Sequence, residues 1–408
     1  MRCLLRRLSF RMLPCLLMAG WPSLTECQQS LGTQTSTATT RVVARLEPGP
    51  NDSWLFGPIR DVAVDRMGRV YVLDMSDQKI RVFDAAGKVL RVVGGRGRGP
   101  GEYTQAKKVE VVNDTLWVAD NFNARLTALS LETGKVLRST RAQVYDQSTS
   151  GVSVAGLFTV KPDGMVDATA TKPVTLRVHH ELAGASKRQQ IALFIVTRPP
   201  IVHRTYAGDT RRPFGVANDR QPLDNGWLHQ VAPHGRSIHL LDRAIQSSSA
   251  NPLGGRSTAE MRLVEIGWKG DTLRDRRFRV PSRRVTSDDI AAIVTFRSNP
   301  GVVIGGKTIT ASPQEVRDSL YKPAVWPPVT GFFVGLDGSI WFEQPQPPRS
   351  AARFWRLTAN GAEVAPVVVP PNFRVMRVTL NRIWGLAEDD DGVQSVHVLE
   401  VSPPGSVR

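Results

Sequence analysis

Residues 59–93 read IRDVAVDRMGRVYVLDMSDQKIRVFDAAGKVLRVV. Four short runs rich in β-branched and aromatic residues, Ile59 to Asp65, Val70 to Asp74, Lys79 to Asp84 and Val89 to Val93, are separated by turns that carry Gly68 and Gly87. Runs of this length and composition, bounded by glycine turns, predict a four-stranded antiparallel meander. A lone meander leaves its faces uncovered, so it must stack on further sheets.

The chain supplies those sheets as weaker copies of the same pattern. Val70-Tyr71-Val72-Leu73-Asp74 aligns with Leu116-Trp117-Val118-Ala119-Asp120, and later with Ile340-Trp341-Phe342-Glu343 and Ile383-Trp384-Gly385-Leu386. Met165-Val166-Asp167-Ala168 and Ile238-His239-Leu240-Leu241-Asp242 are fainter versions, which makes six. The closing turn recurs at Gly87, Gly134, Gly270 and Gly361. A repeat of four strands every 40 to 50 residues is that of a propeller blade, in which each twisted sheet buries both faces against its neighbours. The predicted fold is therefore an all-β, six-bladed β-propeller over residues 41–408.

The last copy, from Phe373 to Val401, holds only three strands. Thr40 to Leu46 is a spare strand near the other end, and it is expected to complete that blade and close the ring. Two stretches depart from the repeat. Prolines 199, 200, 213 and 222 mark Thr197 to Gly226 as a long loop between blades. Between about 286 and 322 the pattern turns helical: Thr286 precedes Asp288 and Asp289, and Ser312-Pro313-Gln314-Glu315 is a capping box with proline at the first helical position. This predicts a small helical insert between blades four and five.

Composition fits a globular chain, with 41% apolar and 22% charged residues among 408. The net charge of +16 admits contact with phosphate, anionic lipid or acidic polymer. No dense basic block follows residue 11, however, so the arginines read as solvated and spread over the surface. Arg2, Arg6, Arg7 and Arg11 precede a short apolar run, Met12 to Ala19, which has the form of an export signal over residues 1–27 and is too short to span a bilayer. Cys3, Cys15 and Cys27 are the three cysteines, so the exported body has no internal disulfide. Leu24-Thr25-Glu26-Cys27 places Cys27 where a lipid-bearing cysteine would stand, although Glu26 is unlike the small residue such a signal uses. Residues 28–40, rich in Gln, Ser and Thr, read as a flexible polar tether. The protein is expected outside the cytoplasm, in the periplasm or beyond, free or held by a lipid on Cys27.

One part of the chain carries a family likeness. Gly57-Pro58 leading into Val62 to Asp65, then Gly68 to Asp74 and Lys79 to Asp84, resembles an NHL repeat. Gly94 to Tyr103 resembles the loop between such repeats. Asp120-Asn121-Phe122-Asn123-Ala124-Arg125-Leu126 is similar to that family's Asp-x-x-Asn-x-Arg turn, with Lys79 in place of the arginine in the first copy. The likeness covers residues 57–140, and the whole resembles exported bacterial six-bladed propellers of the NHL and TolB-like type. It implies a fold and a choice of roles: binding of proteins, RNA, sugars or small molecules, or a metal-dependent lyase or lactonase.

Candidate sites follow from residue type. Asp74 and Asp120 end equivalent strands and could face a cation in the central channel; a structural role in the following tight turns is the simpler expectation. His229 and His239 would approach each other across a hairpin centred on His234, a weak metal-ligand pair, and His179-His180 reads as a surface strand pair. Arg96 and Arg98, in the glycine-rich loop, are candidate anion binders. Tyr71, Trp117, Trp341 and Trp384 are expected in the core rather than as a binding belt. No nucleophilic triad can be assembled, no cofactor is predicted, and a divalent cation is the one inorganic alternative. The expected function is non-enzymatic: a monomeric binding or scaffold propeller that uses one face of the ring near its channel to hold a protein, polymer or small molecule. The alternatives are a metal-dependent lyase or lactonase, and binding of an anionic polymer or nucleic acid through a basic face.

Overall fold

A computed structural model describes residues 28–48, 54–120, 122–123, 125–141, 176–183, 188–195, 201–209, 223, 228–233, 237–245, 258–267, 272–298, 302–304, 307–309, 312–389 and 391–405. Two strands come before the first meander, β1 (Gln28–Ser30) and β2 (Thr39–Leu46). Sheet one is the predicted meander itself: β3 (Ile59–Val64), β4 (Val70–Asp74), β5 (Lys79–Phe83) and β6 (Val89–Gly94). Sheet two holds β7 (Ala106–Val112), β8 (Thr115–Asp120), β9 (Arg125–Ser130) and β10 (Val136–Arg141). Sheet three has three described strands, β11 (Leu176–Ala183), β12 (Arg188–Ile195) and β13 (Ile201–Asp209).

Sheet four is built from β14 (Leu228–Val231), β15 (Ser237–Ile245), β16 (Thr258–Gly267) and β17 (Thr272–Pro281). Then come helix α1 (Ser287–Ser298), a hairpin of β18 (Val302–Ile304) and β19 (Lys307–Ile309), and helix α2 (Pro313–Ser319). Sheet five follows with β20 (Gly331–Val334), β21 (Ile340–Glu343), β22 (Ala352–Leu357) and β23 (Glu363–Val369). Sheet six has β24 (Phe373–Thr379), β25 (Arg382–Glu388) and β26 (Gln394–Ser402). Its fourth strand is β2, which pairs antiparallel with β26 from Thr39↔Ser402 to Leu46↔Val396. The spare N-terminal strand thus completes the C-terminal sheet and covers an edge that would otherwise be open.

Glycine turns make the short connections. Gly68 and Gly87 sit at φ +80° and +94°, and a Cβ at Gly87 would lie 2.6 Å from the carbonyl oxygen of Arg45. The apolar faces interlock sheet by sheet. Leu73, Ile80 and Val82 of sheet one meet Val109, Leu116 and Val118 of sheet two. Val64, Val72 and Phe83 meet Trp384, Val396 and Leu46 of sheet six. Trp341 and Phe354 of sheet five meet Val378, Ile383 and Leu399 of sheet six, while Phe342 and Leu357 meet Met261 and Phe278 of sheet four. Because both faces are covered, β4 is buried at every residue and reads as a continuous apolar run rather than an alternating one.

Two expectations change. Residues 28–40 are not a free tether. Instead, β1 pairs parallel with β17 at the outer edge of sheet four, Leu31 is buried in the core between sheets four and five, and the Ala38 amide donates to the Pro366 carbonyl on sheet five. Glu363 accepts hydrogen bonds from the Gly32 amide and the Thr33 hydroxyl. Polar side chains do not prevent this, because the segment is held by its backbone and by two small apolar anchors. Part of the loop expected over Thr197 to Gly226 is strand β13 (Ile201–Asp209), while Pro199, Pro200, Pro213 and Pro222 lie outside the described residues. Met165 to Ala168, the Gly270 turn, His234 and residues 1–27 with Cys27 lie outside the described residues.

Candidate functional site: a cavity at one end of sheets five and six

The residues singled out by sequence disperse. Asp74 accepts hydrogen bonds from the Ser76 amide (2.8 Å), the Gly57 amide (3.1 Å) and the buried guanidinium of Arg81 (3.0 Å). Asp120 accepts from the amides of Thr104, Gln105, Phe122 and Asn123 and from the Asn123 side chain. These bonds occupy both oxygens of each carboxylate, and they are the bonds of tight turns. Tyr71, Trp117, Trp341 and Trp384 are all buried.

Arg96 and Arg98 are exposed, but their loop is folded on itself. Tyr103 and Gly95 bond through the backbone, and Glu102 places its own carboxylate on the Gly99 amide, 2.8 Å away. An external anion would have to displace that internal one. The histidine pair fails on register. His229 lies opposite Leu240 and His239 opposite Gln230, because the hairpin is centred between residues 234 and 235 and not on His234. A register step of one residue moves a side chain to the other face of the sheet. His179 and His180 lie in β11, opposite Ala192 and Ile191. Among the described residues, no three His, Cys, Asp or Glu side chains gather as a set able to hold a metal ion.

His239 has a different setting. It shares one face of sheet four with Ser237, Glu265, Arg274 and Arg276. Its Nε2 is 3.8 Å from the Glu265 carboxylate, which also accepts the Ser237 hydroxyl at 2.6 Å and lies 3.6 Å from Arg274. Burial is the largest influence and holds the imidazole pKa down to about 4, against the pull of Glu265 and with help from Arg274 and Arg276. The unfolded chain then takes up this proton first, so stability should fall as pH drops from about 6.5 to 4, by up to about 1.4 kcal/mol per pH unit from this group. Urea unfolding across that range should show the slope reduced in His239→Gln; an unchanged slope would refute the assignment.

A cavity of about 1030 Å³ lies elsewhere. It opens where β21 ends and β22 begins, where the chain crosses from β23 to β24, and where β25 turns into β26. Phe333, Phe354 and Phe373 line it from the sheets, and Ile293, Phe296 and Trp326 from the insert. The insert is held there by a buried carboxylate. Asp289, in the first turn of α1, accepts from Arg283 (2.6 Å), the Trp326 indole (2.9 Å) and the Thr286 amide (3.0 Å), while Arg283 also donates to the Pro345 carbonyl. Burial opposes the charge on Asp289, but these donors outweigh it and keep the carboxyl below its ordinary range. α2 begins with the expected capping box at Ser312 and Glu315.

The lining mixes these rings with charged side chains, Arg243, Arg349, Arg374, Glu343, Glu388 and Asp389 among them, and two polar features stand out. Glu343, at the end of β21, has its pKa raised because burial opposes its charge and a hydrogen bond with Thr330 offsets this only in part. Arg349, in the β21–β22 loop, holds a left-handed φ of 63°, and its guanidinium lies 6.0 Å from the Phe296 ring. That backbone region costs a non-glycine residue roughly 1–2 kcal/mol, and such strain collects at functional sites. Asn372, also on the wall, is left-handed too. Sequence reading missed this site because its walls come from seven separate stretches between Arg243 and Gln394. The broken pattern after Glu343, Gln344-Pro-Gln-Pro-Pro-Arg349, was the available signal.

Comparison with known proteins bears on fold. Residues 47–159 match a family model described as a 6-bladed beta-propeller. No curated protein matches the chain. Solved structures similar to it include a Bacteroides fragilis protein described as exported, at 9% identity and a TM-score of 0.45, covering 92% of this chain and 98% of that one. A Bacteroides vulgatus protein of a family of unassigned function has 12% identity and a TM-score of 0.39, covering 90% and 99%. Virginiamycin B lyase from Staphylococcus aureus has 10% identity and a TM-score of 0.37, covering 88% and 99%. The chain is thus a mostly-β protein that carries a six-bladed propeller match over its first two sheets.

Proposed function

We propose that this is a binding propeller whose ligand is a small, largely apolar molecule bearing an amine, held in the cavity between sheets five and six and the helical insert. The observation that carries this reading is Glu343, a partly buried carboxyl that lines the cavity together with Phe333, Phe354 and Phe373. The cavity has the size usual for small-molecule sites, roughly 300–1,000 Å³, and it combines aromatic walls with charged groups of both signs. A cationic amine would restore favourable charge to Glu343 and face the ring surfaces, an arrangement worth about 0.5–2 kcal/mol per aromatic contact. The basic and apolar N-terminal segment supports export of this binding protein.

A fragment library of aromatic amines, amides and alcohols, screened by nuclear magnetic resonance against the purified protein, tests the reading. Amines should bind with signals from Phe296 and Phe373. Glu343→Gln should weaken them about tenfold, or 1.4 kcal/mol, while sparing neutral fragments. Phe296→Ala, on an exposed position of α1, should weaken both classes. Amines that bind equally well to both variants would sink the proposal.

A further inference from the structure

A second cavity, of about 400 Å³, opens at the opposite ends of the same strands. β24 contributes Phe373 and Val375 to the first cavity and Thr379 to the second; β25 contributes Leu386 and Glu388 to the first and Arg382 and Trp384 to the second. The β3–β4 turn brings Arg66, and the β20–β21 turn brings Asp337. The cavity therefore straddles the seam where sheet one meets sheet six.

Its wall carries two arginines, Arg66 and Arg382, and two aspartates, Asp65 and Asp337. Asp65 is already paired with Arg69, and Asp337 is bonded only to uncharged donors, which leaves one guanidinium in excess. Asp65 accepts from the amides of Met67 and Arg69, the Arg69 guanidinium and the Tyr71 hydroxyl. Asp337 accepts from Ser339 and from the Leu380 amide. Arg66 and Arg382 are exposed, and among the described residues neither is held by a hydrogen bond or ion pair. Glu400, opposite Arg382 in the sheet register, is engaged by Arg41 at 2.7 Å. The β3–β4 turn and the start of β25 thus bring two guanidinium groups to one concavity in which Asp337 is the single carboxylate not already paired with a cation. Trp384, 4% exposed, provides an aromatic wall beneath.

We propose that this cavity binds an oxyanion, carboxylate or phosphate, carried on a small aromatic or apolar body. The guanidinium forks bind the oxyanion by charge-assisted hydrogen bonds, each shorter and stronger than a neutral one. Trp384, Leu336 and Val64 receive the apolar body. Arg66 belongs to sheet one and Arg382 to sheet six, so a bound anion ties the two sides of the seam and stabilises the closed ring by mass action.

Titration calorimetry and thermal unfolding of the full chain, with benzoate and phenyl phosphate as probes and chloride at matched ionic strength as the control, test this. One-site binding of at least one probe is expected, with a rise in Tm that chloride does not reproduce. The arm that binds more tightly names the oxyanion, and weaker binding of inorganic phosphate than of phenyl phosphate is expected if Trp384 takes the ring. Arg66→Ala and Arg382→Ala should each weaken binding about tenfold and the double variant abolish it. Both are exposed positions, so the basal Tm should hold and fragment binding at the first cavity should be unchanged. Equal binding by the double variant, or a shift in Tm no greater than chloride gives, overturns the proposal.

Discussion

Replacing Arg377 with methionine is expected to destabilise the protein by about 3–5 kcal/mol, the range for removing one partner from a buried ion network. Arg377 lies on β24, the inner strand of sheet six. Its guanidinium is 3.3 Å from Asp61 on β3 and 3.5 Å from Glu110 on β7. Asp61 also accepts the Val109 amide of β7 at 3.0 Å. One cation thus ties strands β24, β3 and β7 of sheets six, one and two, across the seam between the sheet that joins the chain ends and the first meander. Burial works against the charge on Arg377, but the two carboxylates outweigh it and raise its pKa. Methionine would fill much of the volume and leave Asp61 and Glu110 facing each other without a counter-ion.

Urea unfolding at pH 7 measures the loss, and Arg377→Met combined with Asp61→Asn should recover part of it, because the uncompensated charge is then removed. A change below about 1 kcal/mol in the single variant would show that the network is a solvated decoration, as most surface ion pairs are. The sign of the double variant separates lost charge balance from lost packing.

Removing the N-terminal strand should have an even larger effect. A chain that begins at residue 47 lacks β2, so β26 is left with an unpaired outer edge from Val396 to Ser402, and the core loses Leu46, which is 0% exposed, and Ala44. Deleting one buried leucine side chain alone costs about 2–5 kcal/mol. Added to a lost strand ladder, this equals or exceeds the 5–15 kcal/mol that holds a typical domain folded. Such a chain should fail to accumulate as a soluble, cooperatively unfolding protein. Beginning instead at residue 39 removes only the strap with β1 and Leu31, and should lower stability by about 2–4 kcal/mol while leaving the ring folded. Circular dichroism melts of the three chains compare them directly. Equal melting of the full and shortest chains would refute closure by β2.

Much of the architecture was readable because its causes are local. Gly68 and Gly87 mark turns that few other residues would accept, and the runs between them have the β-branched composition of buried strands. Thr286 and the Ser312–Glu315 box announce helices through bonds made within one turn. Closure by Thr40 to Leu46 followed from counting strands, since a sheet of three implied a missing fourth. The strap over residues 28–38 was not readable, because Gln, Ser and Thr resemble a tether whether or not a sheet edge is near to receive their amides. His229 and His239 were misjudged by half a residue in the centre of one hairpin, which only the register reveals.

The amino-acid sequence by itself determined the strands, their turns, the helix starts and the repeat that sets the number of sheets, because each depends on residues within a few positions of one another. Tertiary structure alone decided where Glu343, Arg377, Arg66 and Arg382 come to lie. Arg377 takes its partners from sheets one and two, with Asp61 316 residues away, and Arg66 and Arg382 reach one concavity from different sheets. Desolvation and charge pairing at such points depend on how sheets meet around the ring, which no short stretch encodes.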